Sequence, residues 1–143
     1  MVFILAPAPD SFFFLLSSFL FFLCASGLFL GCIMLAAVKK GDAKTLAELM
    51  RQDPGFNVNT DQDGVGGTLL HYACSKNDRS PMIPLLLAHP GIDVNLKDAD
   101  RWTPFFWACG GHTSCVREML KDSRVKVNEP RSDGYTPLLW TVW

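Results

Sequence analysis

Positive charge is missing from the first part of this 143-residue chain. All thirteen Lys and Arg residues lie at Lys39 or later, and Asp10 is the single charged side chain before them. The net charge of the whole chain is -1 at pH 7, which gives no overall attraction to nucleic acid or to acidic lipid. The asymmetry divides the chain into an apolar leader and a mixed-charge remainder that meet near residue 38.

Paired cysteines are missing too. The five cysteines are an odd number and contain no CxxC pair, which argues against a disulfide framework and against a zinc site. Cys74 and Cys109 each follow an Ala at equivalent places in the chain, and we expect small buried thiols there. No Asn-X-Ser/Thr sequon occurs, which favours a reducing, intracellular compartment for the polar part.

Catalytic patterns are also absent from the sequence. It contains no nucleophile elbow and no paired carboxylates, and its three histidines lack the close spacing of a metal pair. No Lys follows the glycine-rich 64–68, and a calcium loop at 61–66 would put Val65 where an oxygen ligand belongs. We therefore expect no enzyme, no cofactor and no metal site.

A repeated hexad is the strongest positive signal. TLLHYA, TPFFWA and TPLLWT begin at Thr68, Thr103 and Thr136, and each has an aromatic residue at its fifth position. Thr can cap a helix, and the Pro that follows two of the three occupies a first helical position, where its missing N–H is harmless. Each complete hexad leads through a polar turn to a second apolar segment. Such units cannot bury both faces alone, so the sequence predicts a stack of helical repeats.

This pattern resembles the ankyrin repeat, whose signature is DxxGxTPLHxAAxxGHxxVVxLLLxxGADVN. The resemblance covers about residues 34–143 and implies an all-α repeat solenoid of helix-turn-helix units with β-turn fingers. On this basis we place a capping repeat at 34–60, full repeats at 61–97 and 98–130, and a truncated repeat at 131–143. A hydrophobic N-terminal helix is expected before them.

Two positions matter for the expected geometry. His71 retains the histidine of the signature, and the resemblance implies a structural hydrogen bond from it to a neighbouring repeat. Arg101 stands where the signature has a turn glycine, so we expect a strained or reshaped finger.

The leader has three interpretations that the sequence leaves open. Residues 11–32 carry no charge and are about long enough to span a bilayer as a helix, and Lys39 would then orient the repeats towards the cytoplasm. A signal peptide is the second interpretation, with a small-residue cleavage site at 24–26. Phe, Leu and Ser can be encoded by pyrimidines alone, so residues 1–33 could also be a translated intron. Without a genuine leader, we expect a cytoplasmic or nuclear protein.

Aromatic residues are the best candidates for a binding surface. Two precede the Thr-Pro steps on the fingers, and three recur in the first helices, where the resemblance implies a concave groove. Aromatic side chains are favoured interface anchors, although packing between repeats is an equal alternative for Tyr72 and Trp107. The predicted partner-binding residues are Trp102, Tyr135, Trp107, Trp140, Tyr72 and Arg101. Acidic fingertip residues would rim the groove: Asp61, Asp63, Asp98, Asp100 and Asp133.

The function predicted is non-catalytic binding of an unidentified protein. The alternatives are a membrane-anchored protein with the repeats as a cytoplasmic appendage, or a fragment of a longer repeat protein. The last hexad leaves Leu138, Leu139, Val142 and Trp143 uncovered, which favours a partner or self-association there. Residues 87–95 also resemble the ankyrin segment that asparaginyl hydroxylases recognise, with Asn95 as the acceptor.

Overall fold

The computed structural model describes residues 27–61 and 64–142, and all regular structure within them is helical. The elements are α1 (Gly27–Lys40), α2 (Ala43–Gln52), α3 (Leu69–Cys74), a 3-10 turn (Asn77–Arg79), α4 (Met82–Leu87), α5 (Pro104–Ala108), α6 (Thr113–Met119) and α7 (Pro137–Trp140). First helices α1, α3 and α5 pack in one row, and second helices α2, α4 and α6 pack in another. This confirms the predicted α repeat solenoid.

The apolar leader lies mostly outside the described residues, and so does most of the anchor expected at 11–32. Helix α1 begins at Gly27 and crosses the boundary that we placed before Met34. Met34 and Val38 are fully buried and Leu30 packs against the same core, because apolar residues on both sides of that boundary form one helix face. One helix therefore contains residues of both the leader and the capping repeat as we divided them. No helix of the described segments is long and apolar enough to cross a membrane.

Polar caps begin the first helices of the repeats, as the Thr-Pro steps predicted. The Thr103 hydroxyl accepts from the Phe106 N–H at 3.2 Å, and Thr136 caps α7 in the same way. In α3 the cap is reciprocal, because Thr68 and His71 form a capping box. These caps fix where each helix starts and hence how the preceding finger enters it.

The buried side chains of α4 and α6 repeat with a spacing of 33 residues. They occupy positions i, i+1 and i+4, so that one face of each helix covers the preceding repeat. All are fully buried apart from Val116, which is half-buried. The set comprises Met82, Ile83 and Leu86 in α4, and Cys115, Val116 and Met119 in α6.

The 3-10 turn Asn77–Arg79 positions the Arg79 side chain. This buried guanidinium donates to the Lys39 carbonyl at 2.7 Å, to the Tyr72 carbonyl at 3.2 Å and to the Ser75 hydroxyl at 2.8 Å. Two of these acceptors lie at the C-terminal ends of α1 and α3, where a positive charge is favourable. Arg79 therefore ties the capping repeat to the first full repeat.

Three of the four cysteines in the described residues pack in the hydrophobic core, whereas Cys32 is exposed. Cys74 and Cys115 are fully buried, Cys109 is half-buried, and all three are free cysteines. Burial raises the pKa of Cys109 to about 11. A protonated thiol at neutral pH is a poor nucleophile, in agreement with small core side chains at these positions.

Candidate functional site

Finger A (residues 98–103) is organised around the Asp98 carboxylate. Its Oδ1 accepts from the backbone N–H groups of Asp100 at 3.0 Å and Trp102 at 2.8 Å. Its Oδ2 accepts the indole N–H of Trp107 at 2.9 Å. We placed Asp98 on the acidic rim of a groove; the structure shows that it also holds one of the predicted aromatic side chains in place.

Arg101 adopts the conformation that its position predicted. Its φ is +65°, in the left-handed region where a side chain costs free energy that glycine avoids. The equivalent residue of the next finger is Gly134, at φ +83°. Arg101 is exposed at the fingertip, so its side chain remains available to solvent or to a partner.

Finger B (residues 131–136) carries Arg131 at the position that corresponds to Asp98. The centre of its guanidinium lies 5.1 Å from the ring centroid of Trp102, 5.7 Å from that of Trp140 and 5.9 Å from that of Tyr135. The same guanidinium pairs with Asp133, and its hydrogen bonds hold the pKa of that carboxyl below its ordinary value. Three predicted site residues are thus gathered around one cation.

The aromatic residues form two groups. In the first group, the Trp107 ring meets Tyr72 edge-on at 5.7 Å, and the Lys39 ammonium lies 4.6 Å from the Tyr72 ring centroid. In the second group, the ring centroids of Trp102 and Trp140 are 5.6 Å apart. The Arg131 guanidinium lies near Trp102 and Trp140 and also near the ring of Tyr135. Among the described residues, the ring contacts of Trp140 are with this second group and with Phe106. The recurring helix aromatics are therefore divided between two places on the surface.

The two groups differ in exposure. Tyr72 and Trp107 are half-buried, and their edge-to-face contact crosses the boundary between repeats. In the second group Trp102 is half-buried, whereas Tyr135 is 39% exposed and Trp140 is 37% exposed. We name Trp102, Tyr135 and Trp140 the aromatic cluster, since they offer the larger accessible aromatic surface.

His71 makes the bond between repeats that the resemblance implied. Its Nε2–H donates to the Trp102 carbonyl at 3.0 Å, while Nδ1 accepts from the Thr68 backbone N–H and hydroxyl. Burial lowers the pKa of His71, which keeps the ring neutral in the folded chain. The histidine therefore fixes the backbone of finger A beneath the aromatic cluster.

Asn95 bridges two extended returns. Its amide donates to the Arg124 carbonyl at 2.9 Å and accepts from the Lys126 N–H at 2.8 Å. Asn59 makes the equivalent pair of bonds to residues 91–93 of the next repeat. The hydroxylation of Asn95 stays a prediction, and its amide has a structural role. No cluster of metal-ligating side chains occurs in 27–61 or 64–142.

Known proteins resemble this chain over its repeats. A family model described as "Ankyrin repeats (3 copies)" matches residues 78–143. A putative ankyrin repeat protein of Rickettsia bellii (strain RML369-C) is 36% identical over 77 residues, which are 54% of this chain and 75% of that protein. The SMC5-SMC6 complex localization factor protein 1 of Bos taurus and that of Homo sapiens are each 46% identical over 74 residues. That match takes in 51% of this chain and 7% of either relative.

Proposed function

The chain belongs to the ankyrin-repeat family, and on that premise we propose that it is a non-catalytic protein-binding module that contacts its partner through fingers A and B. The observation that carries the proposal is the aromatic cluster. Trp102, Tyr135 and Trp140 surround the Arg131 guanidinium and keep part of their ring surface exposed. Exposed aromatic surface that is already ordered is the kind of surface that anchors protein interfaces.

Preorganisation supports this assignment. The cation of Arg131 and the ion pair with Asp133 hold finger B in place, and the bond from His71 holds finger A. Side chains that are ordered before binding lose less conformational entropy in the complex. More of the free energy gained by burying the cluster can therefore contribute to affinity than would be the case for mobile side chains.

The predicted contact residues have different roles in this proposal. Tyr135 and Trp140 supply the accessible rings, and Arg101 adds an exposed cation on finger A. Trp107 and Tyr72 form a second contact zone next to Lys39. Trp102 acts mainly by supporting Trp140, because the two rings are in contact and Trp102 is half-buried.

The name of one relative supplies a first candidate partner. The SMC5-SMC6 complex localization factors carry, by their name, a role in locating that complex. The match to this chain takes in 7% of the length of these relatives. We propose an interaction with the SMC5-SMC6 complex as the first interaction to test.

The test is quantitative capture with matched variants of finger B. The full chain carrying Tyr135→Ala is compared with wild type and with Ser132→Ala, an exposed position on the same finger. Subunits of the SMC5-SMC6 complex serve as the first bait, followed by proteome-wide quantification. We expect Tyr135→Ala to lower the recovery of a specific partner at least tenfold, because interface aromatics often contribute above about 2 kcal/mol. Equal recovery by wild type and both variants would contradict the proposal.

A further inference from the structure

A buried arginine without a carboxylate partner lies beside the second contact zone. Arg79 is only 8% exposed, and no ion pair within residues 27–61 and 64–142 includes it. A buried guanidinium is costly in free energy unless its N–H groups are hydrogen-bonded. The Nε of Arg79 has no acceptor in the described part of the chain, so the side chain is held there by its two terminal nitrogens.

These terminal nitrogens bind the backbone of two residues whose side chains touch each other. One nitrogen donates to the Lys39 carbonyl at 2.7 Å, and the other donates to the Tyr72 carbonyl at 3.2 Å. The Lys39 ammonium lies 4.6 Å from the ring centroid of Tyr72. Lys39 belongs to α1 and Tyr72 to α3, so the contact crosses from one repeat to the next. A single guanidinium therefore fixes both backbones behind one cation–ring contact.

The hydrogen bonds of Arg79 meet the needs of two helix termini. Lys39 is the penultimate residue of α1, where the carbonyls lack the N–H groups of a following helical turn. At the end of α3, the Ser75 hydroxyl donates to the Tyr72 carbonyl at 2.8 Å and accepts from Arg79 at 2.8 Å. Because a guanidinium is planar and presents its donors in a fixed geometry, it sets the distance between the acceptors that it joins.

The next junction of the stack has neither the arginine nor the cation–ring contact. Lys76 and Trp107 occupy the places of Lys39 and Tyr72 one repeat later. Where the 33-residue spacing would place a second arginine, the chain has His112. Among the cation–ring contacts of residues 27–61 and 64–142, none joins Lys76 to Trp107. An equivalent lysine and an equivalent ring are thus not sufficient for the contact to form.

We propose that Arg79 is a positioning residue for partner binding: it holds Lys39 beside Tyr72, where a fixed cation meets a carboxylate of the partner. The effect on binding rests on the function proposed above, whereas the positioning is a property of the free chain. Lys39 is exposed and takes part in no ion pair of the described residues, so its charge is complementary to an acidic side chain. A cation that is already held in place loses less entropy on binding.

NMR of the free full chain tests the positioning. The lysines are converted to dimethyl-lysine with carbon-13 methyl groups, which keeps their positive charge, and Lys39→Arg identifies the Lys39 signal by its loss. We expect that signal upfield of the signal of Lys44, an exposed lysine with no ring contact in the described residues, because the Tyr72 ring shields it. Tyr72→Leu should abolish the difference. Arg79→Gln should abolish it as well, because the ammonium is then no longer held against the ring.

Control variants separate positioning from stability. Ser80→Ala changes the residue next to Arg79 and should leave the Lys39 signal in place. Met119→Ala truncates the core in another repeat and should lower Tm without moving the signal. Thermal unfolding shows whether each variant is folded. If Arg79→Gln does not fold, Ser75→Ala replaces it, because it removes one acceptor of the guanidinium and should move the signal in the same direction by a smaller amount.

The consequence for binding is measured on the partner that the wild-type chain captures. Lys39→Gln should lower its recovery at least about fivefold, since a hydrogen bond between charged groups is lost. Arg79→Gln should lower the recovery in the same direction. Lys40→Gln is the matched control, because it removes the same charge from the exposed neighbouring residue, and it should change the recovery less than about twofold.

Three results would overturn the inference. The first is a wild-type Lys39 signal at the position of the Lys44 signal. The second is a Lys39 signal that does not move in folded Arg79→Gln, or in Ser75→Ala where that variant replaces it. The third is equal recovery of the partner by Lys39→Gln and Lys40→Gln. A wild-type chain that captures no specific partner would instead contradict the proposed function, and the NMR signal would still decide whether Arg79 positions Lys39.

Discussion

Fingers A and B place opposite charges at the same backbone position. The turn is the same in both, since the N–H of Asp98 donates to the Trp102 carbonyl at 3.0 Å and the N–H of Arg131 donates to the Tyr135 carbonyl at 2.9 Å. In finger A the Asp98 carboxylate ties down the indole N–H of Trp107. In finger B the guanidinium instead lies against ring faces. The turn therefore forms with Asp98 or with Arg131 at its first position. The side chain at that position determines which contacts hold the aromatic residues.

This difference has a consequence for binding. Trp107 and Trp140 occupy the same position in consecutive hexads. Trp107 is half-buried with its indole N–H bonded, whereas Trp140 is 37% exposed and its N–H has no acceptor within the described residues. Finger A therefore serves mainly to connect repeats, and finger B presents aromatic surface. Four changes test that division, in decreasing order of expected effect.

Removing the carboxylate of finger A should destabilise the stack most. Asp98→Ala leaves three N–H groups without their acceptor, including the half-buried indole of Trp107. We expect the free energy of unfolding in urea to fall by about 2–3 kcal/mol. The control is Asp100→Ala on the same finger, which should cost less than about 0.5 kcal/mol. Similar losses in the two variants would contradict the role of Asp98.

The contact between His71 and finger A should make stability depend on pH. Burial lowers the folded-state pKa of His71 below its ordinary value of 6.5, so the unfolded chain binds the proton more readily. The stabilisation is complete above pH 6.5 and is lost as the pH falls below it, by at most about 1.4 kcal/mol per pH unit. Urea unfolding between pH 7.5 and 5.5 measures this slope. The slope should become smaller in His71→Gln, and an unchanged slope would exclude His71 as its source.

Exchanging the residues at the two equivalent turn positions, 101 and 134, should change the free energy of unfolding in opposite directions. Arg101→Gly relieves a side chain at φ +65° and should stabilise the chain by about 1 kcal/mol, whereas Gly134→Arg should cost about as much. For a domain of this size, that corresponds to a change of several degrees in Tm. Calorimetry on both variants provides reciprocal controls. A decrease in Tm for Arg101→Gly would show that the arginine side chain makes a compensating contact.

Removing the cation of finger B should lower the stability of the chain less than the three preceding changes do. It should alter the packing of the aromatic cluster more than they do. Arg131→Gln keeps a long polar side chain but loses the charge that faces three rings. We expect a decrease in Tm smaller than that of Asp98→Ala, together with a change in tryptophan fluorescence. Lys121→Gln, which removes an ion pair with Glu118 that is not part of the aromatic cluster, should leave the fluorescence unchanged. Identical spectra for wild type and Arg131→Gln would contradict the geometry of the cluster.

The sequence predicted the caps and turns better than the contacts between aromatic side chains. The caps at Thr103 and Thr136 and the unusual turn at Arg101 follow from short patterns with a known geometry, and the family resemblance supplied the bond from His71 to the next repeat. Helix α1 crosses the boundary that we placed before Met34, because a uniformly apolar run does not mark where a helix begins. The aligned fingers did contain one usable signal: Arg131 stands where finger A and the repeat signature have an acid.

The arrangement of the binding surface depends on distances that the sequence does not contain. Trp102 was predicted as a partner-contact residue on a finger, and the structure packs it against Trp140 of the next repeat. Its availability to a partner depends on how closely consecutive repeats approach. Asp63 and Trp143, which we assigned to the groove rim and to the uncovered end, lie outside the described residues.

Site-specific photo-crosslinking tests the central claim most directly. A benzophenone amino acid replaces Tyr135 in the full chain, and a second version carries it at Lys44, an exposed position on α2. We predict a discrete protein adduct from position 135 that excess unlabelled wild-type chain suppresses, and no such adduct from position 44. Equal adduct patterns at the two positions, or an adduct at 44 alone, would contradict binding through the fingers.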